Sequence, residues 1–283
     1  RYYLGRPADA FEIMTELSLG ITTSDLAQIP VSEDYLNVGG TGINTQSFNL
    51  AIPRGNFDVK VVTAGRASHK MITDVAYTSG CEDNCPATSL QSYIGQNNAE
   101  AGMHGTYFCP PDYSQCATSE NTFNPPVYNS AANTMIQEDK LPFHDGPMIA
   151  LGSNGQYYYY HRTIDFGYSV AEFEERENTQ LDAAIANYPA LVEGGNVVVE
   201  SEPIEPAQET KGVRGALGYN DERAFMVIAT SASVRDMAYI MDGLGADWAL
   251  NLDGGGSAAL FANSSYLHGP GRQLPNAVVF SKK

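Results

Sequence analysis

An aspartate followed by three glycines and a serine is the part of the sequence best suited to chemistry. The segment reads WALNLDGGGSAALF, and Asp253 follows an apolar run that is typical of a buried strand. Glycines tolerate positive φ and let a ligand approach the main chain, whose N–H groups can bind an anion. Ser257 adds a hydroxyl. The same residues could instead form only a tight turn that Asp253 caps, and glycine chemistry alone does not separate the two interpretations.

The charge of the chain and the pattern of this loop exclude several function classes. The loop has no lysine and no helix pattern after it, so it is not a P-loop, and it does not match a dinucleotide fingerprint. The formal net charge is −17, from 33 acidic and 16 basic residues. No nucleic acid is therefore expected as a partner, because phosphate backbones bind to basic surfaces. An anionic small substrate would need the few arginines to converge on one pocket.

Strand and helix patterns elsewhere predict the elements that must position this loop. NFDVKVVTAG and EAGMHGTYF predict strands, while MIALGSNGQYYYYHR and VRGALGYNDERAFMVIATS predict hairpins that turn at Asn154-Gly155 and Asn220-Asp221. PATSLQSYIGQNN predicts a short helix. NTQLDAAIANYP and SVRDMAYIMDGLG predict helices capped by Thr179 and Ser233.

These elements favour an α+β fold of mixed, largely antiparallel β-sheets with flanking helices in a single compact domain. We expect the domain to span residues 57–283, with residues 1–56 as an N-terminal extension packed on it. No linker or internal repeat divides the chain. The polar stretch from Cys116 to Pro142 reads as a functional or lid-like excursion. Four consecutive tyrosines, 157–160, fit a strand with aromatics on both faces or, alternatively, a sugar-stacking surface.

The four cysteines bear on the compartment in which the protein works. They lie in two close pairs, Cys81 with Cys85 and Cys109 with Cys116. Four cysteines allow three connectivities, and disulfides are favoured over zinc or free thiols because neither spacing is C-x-x-C. Disulfides would place the protein in an oxidising compartment, either secreted or periplasmic. No apolar run approaches the roughly 18 residues that a membrane span needs.

Several segments together resemble the phosphodiester glycosidase family. GLGADWALNLDGGGSAAL is similar to the family signature, and GRQLPNAVVF supplies the later arginine and asparagine as Arg272 and Asn276. VRGALGYNDERAFMVIAT resembles the family hairpin and places Arg214 at its arginine, while AEAGMHGTYF resembles the segment that usually reads Asn-Gly. The resemblance spans about residues 57–280. The chain departs from the family at His104, where asparagine is usual, at Thr106, where glycine is common, and in the two alanines after Ser257.

The resemblance implies hydrolysis of a sugar-1-phosphodiester at the bond between the anomeric carbon and the phosphate oxygen. A phosphate monoester is a weakly basic leaving group, so one carboxylate with cationic stabilisation could suffice where ordinary glycosidases use two. We expect Asp253 to act as nucleophile or general base, with Arg214 and His104 as further catalytic residues. The expected substrate-binding residues are Thr106, Asp145, Gly254, Gly255, Gly256, Ser257 and Arg272. Asp145 is a candidate second carboxylate, with His144 beside it.

Two other functions remain open at this level. The chain could be a non-catalytic glycan-binding protein on the same scaffold, or a metal-dependent phosphodiesterase that cuts the P–O bond. No cofactor is certain; Ca²⁺ or Mg²⁺ is a candidate because acidic and carbonyl oxygens in a glycine-rich loop suit such cations, although no D-x-D-x-D spacing is present. The expected partner is a carbohydrate phosphodiester in an extracellular glycan or glycoconjugate.

Overall fold

A computed structural model describes residues 42–283 of the chain. The strands are β1 (Ile43–Ile52), β2 (Gly55–Gly65), β3 (His69–Val75), β4 (Ala101–His104), β5 (Val127–Asn129), β6 (Thr134–Ile136), β7 (Met148–Gly152), β8 (Tyr157–Tyr160), β9 (Leu181–Ala186), β10 (Ala190–Glu193), β11 (Asn196–Val197), β12 (Gly212–Tyr219), β13 (Arg223–Ala232), β14 (Trp248–Gly254), β15 (Leu260–Ala262), β16 (Ser265–His268) and β17 (Asn276–Lys282). The α-helices are α1 (Leu90–Gln96), α2 (Thr163–Phe166), α3 (Val170–Glu177), α4 (Pro206–Glu209) and α5 (Val234–Gly243).

The strands form three sheets in which hydrogen-bonded neighbours are antiparallel. Sheet A has the order β1-β2-β13-β12-β14-β10-β11, sheet B the order β16-β15-β4-β17-β3, and sheet C the order β6-β5-β9-β7-β8. Helices lie at their outer faces. The predicted α+β class, with largely antiparallel sheets and flanking helices in one compact domain, is confirmed. No helix among residues 42–283 combines the length and the apolar character that a membrane crossing requires.

The inner strands of sheet A are buried on both faces, and the alternating side chains of β13 show how. Met226 and Ile228 belong to a core cluster shared with sheets B and C, whereas Phe225 and Val227 belong to the cluster beneath α5. On the outer side of sheet B, α1 contributes Tyr93 to a separate core. The molecule is therefore layered, with helix α5, sheet A, the pair of sheets B and C, and outer helices in succession.

The predicted hairpins and two of the predicted helices are confirmed. Strands β7 and β8 pair around the turn that contains Gly155, whose φ of 79° requires glycine there, and β12 pairs with β13. Helix α1 forms as expected. Helix α5 begins after Ser233, whose hydroxyl accepts a hydrogen bond from the Asp236 amide at 3.1 Å while Asp236 accepts one from the Ser233 amide at 2.9 Å.

The predicted helix over residues 178–189 is wrong, because residues 181–186 form strand β9. Asn178 adopts φ 50° and ends α3, so it and Thr179 close one helix rather than opening another. The alanine-rich run then lies between β5 and β7 with nearly every side chain buried. Helix propensity is a weak preference, and it is overridden here because small side chains fit the middle of a covered sheet.

The remaining sequence-based expectations fall on loops and edges. Most of the predicted extension, residues 1–41, lies outside the described residues, and residues 43–52 form β1, paired along its length with β2. The stretch from Cys116 to Pro142, expected to be a functional or lid-like excursion, contains the short hairpin β5–β6. The four tyrosines form β8 and pack against aromatic neighbours on both faces, Tyr158 on Phe173 and Tyr159 on Trp248, as expected of a strand.

Both close cysteine pairs lie at disulfide distance. The sulfur atoms are 2.20 Å apart for Cys81 and Cys85 and 1.93 Å apart for Cys109 and Cys116. Of the three connectivities that the sequence allowed, the structure therefore has the one that pairs neighbours along the chain.

Candidate functional site

The aspartate of the glycine loop lies at the end of a central strand, where sheets A and B meet. Asp253 is the penultimate residue of β14, and Arg214 of β12 stands opposite Gly254 in the antiparallel register. The ladder between β12 and β14 shifts at this point, between Arg214 and Gly215. From sheet B, the amide of Asp253 is bonded to the carbonyl of Gly105 at 3.1 Å, just after β4 ends at His104. The acid is thus held between two sheets.

Asp253 is partly exposed; its carboxylate accepts a main-chain N–H and feels the charge of two guanidiniums. The Gly254 amide donates to Oδ1 at 2.7 Å, so this amide stabilises the carboxylate itself. Burial raises the pKa of Asp253 from 3.8 to about 6, against the opposing effects of the Gly254 amide, the Ser257 hydroxyl, Arg272 and Arg214. An acid with this pKa is mostly ionised at neutral pH, as a nucleophile must be, and it can accept a proton, as a general base must.

Arg214 lies beside the start of the loop. Its Nη2 donates to the main-chain carbonyls of Ala207 at 2.7 Å and Thr210, near the end of α4. These carbonyls fix the guanidinium, and no acidic residue among residues 42–283 pairs with it. A Cβ added to Gly254 would lie 3.5 Å from Arg214 Nη1. The guanidinium therefore lies close beside Gly254.

Arg272 lies on the other end of the loop. Its Nη1 donates to the Ser257 hydroxyl at 3.1 Å and its Nη2 donates to Asp112 at 2.6 Å. A Cβ on Gly256 would come within 2.9 Å of Arg272 Cζ, closer than real Cβ atoms approach, so glycine is needed for this contact. Two guanidiniums thus flank Asp253, one at Gly254 and one at Gly256, in an arrangement suited to an anion.

His104 lies beneath the loop with no exposed surface. Its Nε2 is 2.6 Å from the carbonyl oxygen of Asp253, which can only accept, so Nε2 carries a proton. Its Nδ1 accepts from the Ala259 amide at 3.2 Å. Desolvation lowers the pKa of His104, so the ring stays neutral near pH 7. Its bond to Asp253 runs to the main-chain carbonyl, so we expect His104 to position the loop rather than to touch substrate.

Replacing His104 with leucine is expected to destabilise the chain by about 2–4 kcal/mol, because the Asp253 carbonyl and the Ala259 amide lose a buried partner. The pKa of Asp253 read from the pH profile of kcat (its kinetic pKa) should shift, and kcat should fall about tenfold. His104→Asn restores an amide donor and should recover part of both losses. Urea unfolding and a pH profile of kcat would measure the effects.

His69 offers a matched control for that substitution. It is a buried histidine at the opposite end of β17 from His104, and it bonds Glu100 at 2.9 Å. His69→Leu should lower stability without moving the kinetic pKa. An unchanged kinetic pKa in His104→Leu would contradict the positioning role.

Thr106 also lies beneath the site and contributes through its main chain. Its amide donates to Asn276 Oδ1 at 2.9 Å, and its hydroxyl donates to the carbonyl of Tyr107. A Cβ on Gly105 would lie 1.8 Å from the same Asn276 oxygen, so the side chain of Asn276 occupies the space that glycine leaves. Thr106 is buried, and the predicted direct contact with substrate is not evident from its position.

A tyrosine that the sequence analysis did not select stands between the loop and a large cleft. Tyr107 Oη accepts hydrogen bonds from Asn251 at 2.7 Å and Gln208 at 3.1 Å, which leaves its proton available to a ligand. Burial, with the charge of Asp253 adding to it, raises the pKa of Tyr107 to about 12. Its ring lies 5.1 Å from that of Tyr188. Asn251 of β14, two residues before Asp253, connects the two tyrosines: its side-chain amide donates to the Tyr107 hydroxyl and, at 3.0 Å, to the Tyr188 carbonyl. The cleft that they line is therefore held near the end of β14 that carries the acid.

This cleft has a volume of about 720 Å³, which is the size of a small-molecule site. Its walls include several aromatic rings, and Phe143 at its edge is 78% exposed. His144 also lines it, with Nε2 buried and unbonded, and desolvation lowers the pKa of His144 to about 4. Asp145, by contrast, is exposed and is not among the residues lining the cleft. The structure shows no contact between Asp145 and Asp253 within residues 42–283.

The structure thus brings together most of the sequence-predicted site. Asp253, Arg214 and Arg272 surround the loop of Gly254, Gly255, Gly256 and Ser257, while His104 and Thr106 support it from below. Asp145 stays apart. Sequence reasoning missed Tyr107, Tyr188 and Asp112. The only signals for them were the place of Tyr107 in HGTYF and of Asp112 between two cysteines.

A comparison with protein families covers the part of the chain that holds this site. The sequence profile of the phosphodiester glycosidases matches residues 98–281, more than half of the chain, and that range contains the whole loop and both arginines. A search of curated protein sequences gave no match.

Solved structures share the fold at low sequence identity. A hypothetical protein from Synechocystis superimposes with a TM-score of 0.55 at 14% identity, covering 84% of this chain and 62% of that one. The catalytic domain of zebrafish N-acetylglucosamine-1-phosphodiester alpha-N-acetylglucosaminidase, auto-inhibited by its pro-peptide, gives a TM-score of 0.63 at 11% identity, covering 87% and 85%. The chain therefore spans less than two thirds of the Synechocystis structure. These similarities concern the fold.

Proposed function

The chain belongs to the phosphodiester glycosidase family, and we propose that it hydrolyses the glycosidic C–O bond of a sugar-1-phosphodiester. The observation that carries this proposal is one carboxylate, Asp253, with a guanidinium at each end of its glycine loop. A carboxylate suits attack at an anomeric carbon, and guanidiniums suit the phosphate that departs from it. The family consists of glycosidase-type hydrolases. Cleavage of a sugar-1-phosphodiester is what we propose for this chain.

The chemistry can follow two routes that the position of Asp253 supports equally. As nucleophile, Asp253 forms a bond to the anomeric carbon while the bond to the phosphate oxygen breaks and its electron pair leaves with a phosphomonoester. Water then hydrolyses the glycosyl ester, with net retention of configuration. As general base, Asp253 takes a proton from a water that attacks the anomeric carbon in one step, with inversion. NMR of the first-formed sugar anomer distinguishes the routes.

The two arginines would do the work that a general acid does in an ordinary glycosidase. A departing phosphomonoester gains negative charge on the oxygen that leaves, and fixed cations lower the energy of that charge in the transition state. Arg272 is further oriented by the Ser257 hydroxyl, and Arg214 by two carbonyls. No second carboxylate is required by this arrangement.

The aromatic cleft beside Asp253 would hold one of the two groups that flank the scissile bond. Sugar rings present C–H faces that pack on aromatic side chains, and the Tyr107 hydroxyl can donate to a ring oxygen. An extracellular glycan or glycoconjugate fits this proposal, since the two disulfides favour an oxidising compartment, secreted or periplasmic.

Hydrolysis of a panel of sugar-1-phosphodiesters in ¹⁸O-labelled water tests the function. Label on the sugar supports cleavage of the C–O bond by the proposed reaction. Label on the phosphate would instead support a phosphodiesterase that cuts the P–O bond. Glycan binding without turnover of any diester would favour a non-catalytic glycan-binding protein on this scaffold.

The residues of the site do not fit a divalent cation well. Within residues 42–283 no group of three or more His, Cys, Asp or Glu side chains could hold a metal ion. Asp253 is accompanied by two guanidiniums, which oppose the binding of Ca²⁺ or Mg²⁺. The proposed mechanism therefore has no step that uses a metal.

Chelation is expected to leave hydrolysis unchanged, within about twofold, because the guanidiniums already supply the positive charge. The measurement is kcat/KM before and after exhaustive dialysis against a chelator. Restoration by Ca²⁺ or Mg²⁺ of activity lost on dialysis would contradict this and return the metal-dependent mechanism to consideration.

A further inference from the structure

Arg214 and Arg272 form the proposed anion clamp, and the exposed carboxylate of Asp112 is already bonded to Arg272. Asp112 Oδ2 accepts a hydrogen bond from Arg272 Nη2 at 2.6 Å, while the other terminal nitrogen of the guanidinium bonds the Ser257 hydroxyl beside Asp253. Asp112 therefore stands where a phosphate oxygen would be attracted to the outer edge of Arg272. The bond to Arg272 holds the pKa of Asp112 below its usual value, so the carboxylate is charged throughout the neutral range.

The loop that carries Asp112 is built to hold it there. Cys109 and Cys116 close a covalent ring around it, and Pro110 and Pro111 precede it. The adjacent residue, Tyr113, lies with its ring centroid 5.2 Å from Arg272 Cζ, so the loop contacts the guanidinium through a carboxylate and a ring. Such a contact is more restricted than an ordinary surface ion pair between two long flexible side chains.

Charge at the site determines which phosphate ester it favours. With Asp253 ionised, the carboxylates of Asp253 and Asp112 balance the guanidiniums of Arg214 and Arg272. A phosphodiester carries one negative charge, whereas a phosphomonoester, with a second pKa near 6, carries close to two at pH 8. The four side chains together carry no net charge, so they do not attract the second negative charge of the monoester. Asp112 repels that charge.

We propose that Asp112 is a specificity-determining residue that makes the Arg272 clamp favour phosphodiesters over phosphomonoesters. This inference rests on the proposed function, in which a diester is the substrate and a monoester is a product. A clamp with two unopposed arginines would bind the dianionic product more tightly than the substrate and retain it. Asp112 offsets one of those charges, so the monoester leaves, and free phosphate monoesters compete poorly for the site.

The test measures binding of small phosphate esters that contain no glycosidic bond, so it does not depend on turnover. Titration calorimetry at pH 8 would give the Kd of methyl phosphate, a dianion, and of dimethyl phosphate, a monoanion. Asp112→Asn keeps an oxygen that can accept from Arg272 and removes the charge. We expect Asp112→Asn to lower the Kd of methyl phosphate about tenfold and the Kd of dimethyl phosphate about threefold or less.

Two control variants establish whether the effect is local to Asp112 and whether phosphate binds at Arg272. Glu82→Gln removes one negative charge from the exposed part of the Cys81–Cys85 ring and should change both Kd values by less than about twofold. Arg272→Ala should weaken both esters. If Arg272→Ala leaves both Kd values unchanged, phosphate does not bind at this guanidinium, and the clamp itself is wrong.

The outcomes for Asp112→Asn are also distinct. An equal fall in the two Kd values, or no change in either, overturns the discrimination by Asp112. This holds even if the wild-type enzyme hydrolyses sugar-1-phosphodiesters. Weakening of both esters would overturn it too, because Asp112 would then only orient Arg272. A larger effect on methyl phosphate than on dimethyl phosphate supports the inference, whatever the outcome of the turnover assay.

Discussion

Replacing Asp253 with asparagine is expected to abolish hydrolysis while making the folded chain more stable above pH 6. The amide keeps the shape of the side chain and can accept the Gly254 N–H, but it can neither attack a carbon nor take a proton. Turnover should fall at least about 10³-fold. The stability gain follows from the raised pKa of Asp253, about 6 in the folded chain against 3.8.

The sign of this stability effect follows from proton binding. The folded chain binds the Asp253 proton more tightly than the unfolded chain does, so ionisation of this carboxyl lowers the free energy of unfolding as the pH rises from about 4 to about 6. This loss of unfolding free energy is absent below about pH 4. It reaches its full value of about 1–3 kcal/mol above about pH 6. Asp253→Asn should therefore match the wild type at pH 4 and exceed it at pH 8.

Urea unfolding at the two pH values, with kcat/KM from pH 4 to 9, checks both parts. Wild-type kcat/KM should rise through pH 6 and then level as Asp253 ionises. Asp242→Asn is the matched control, since burial also raises the pKa of Asp242, in α5, and it should gain stability without losing activity. Turnover close to the wild-type level in Asp253→Asn would remove Asp253 from the mechanism. A less stable variant at pH 8 would mean that the arginine contacts outweigh desolvation.

Removing either arginine of the clamp is expected to lower kcat/KM about 10²- to 10³-fold. Arg214→Lys should recover little, because one ammonium on a flexible stem does not reproduce a planar fork that bonds two carbonyls and still faces the loop. Arg272→Ala opens space beside Gly256 and Ser257, so added guanidinium ion should restore part of its activity, whereas sodium chloride at the same ionic strength should not.

Steady-state kinetics on the best diester substrate measure these losses. Arg176→Ala is the control, because Arg176 is a partly exposed arginine on α3 whose partners are Glu177 and Tyr160. It should leave kcat/KM unchanged. Equal, small effects of Arg214→Ala, Arg272→Ala and Arg176→Ala would mean that the guanidiniums beside the loop do not stabilise the leaving phosphate.

Elements whose signals are local could be predicted from the order of residues. Turn residues such as Asn154-Gly155 and the reciprocal cap of Ser233 and Asp236 depend on neighbours a few residues apart, and both elements form as predicted. The glycine loop with its acid was visible for the same reason. The family resemblance added Arg214 and Arg272, which no local pattern could connect to Asp253.

Features that depend on burial and on distant partners required the folded structure. Residues 181–186 carry a helical pattern, yet they form the strand β9 because both faces of that position in sheet C are covered. His104 lies under the loop and not in it, because β4 and β14 approach from different sheets. Asp112 reaches Arg272 across 160 residues of sequence. Side-chain contacts of this kind are absent from the order of residues, because they arise only when packed layers bring distant strands and loops together.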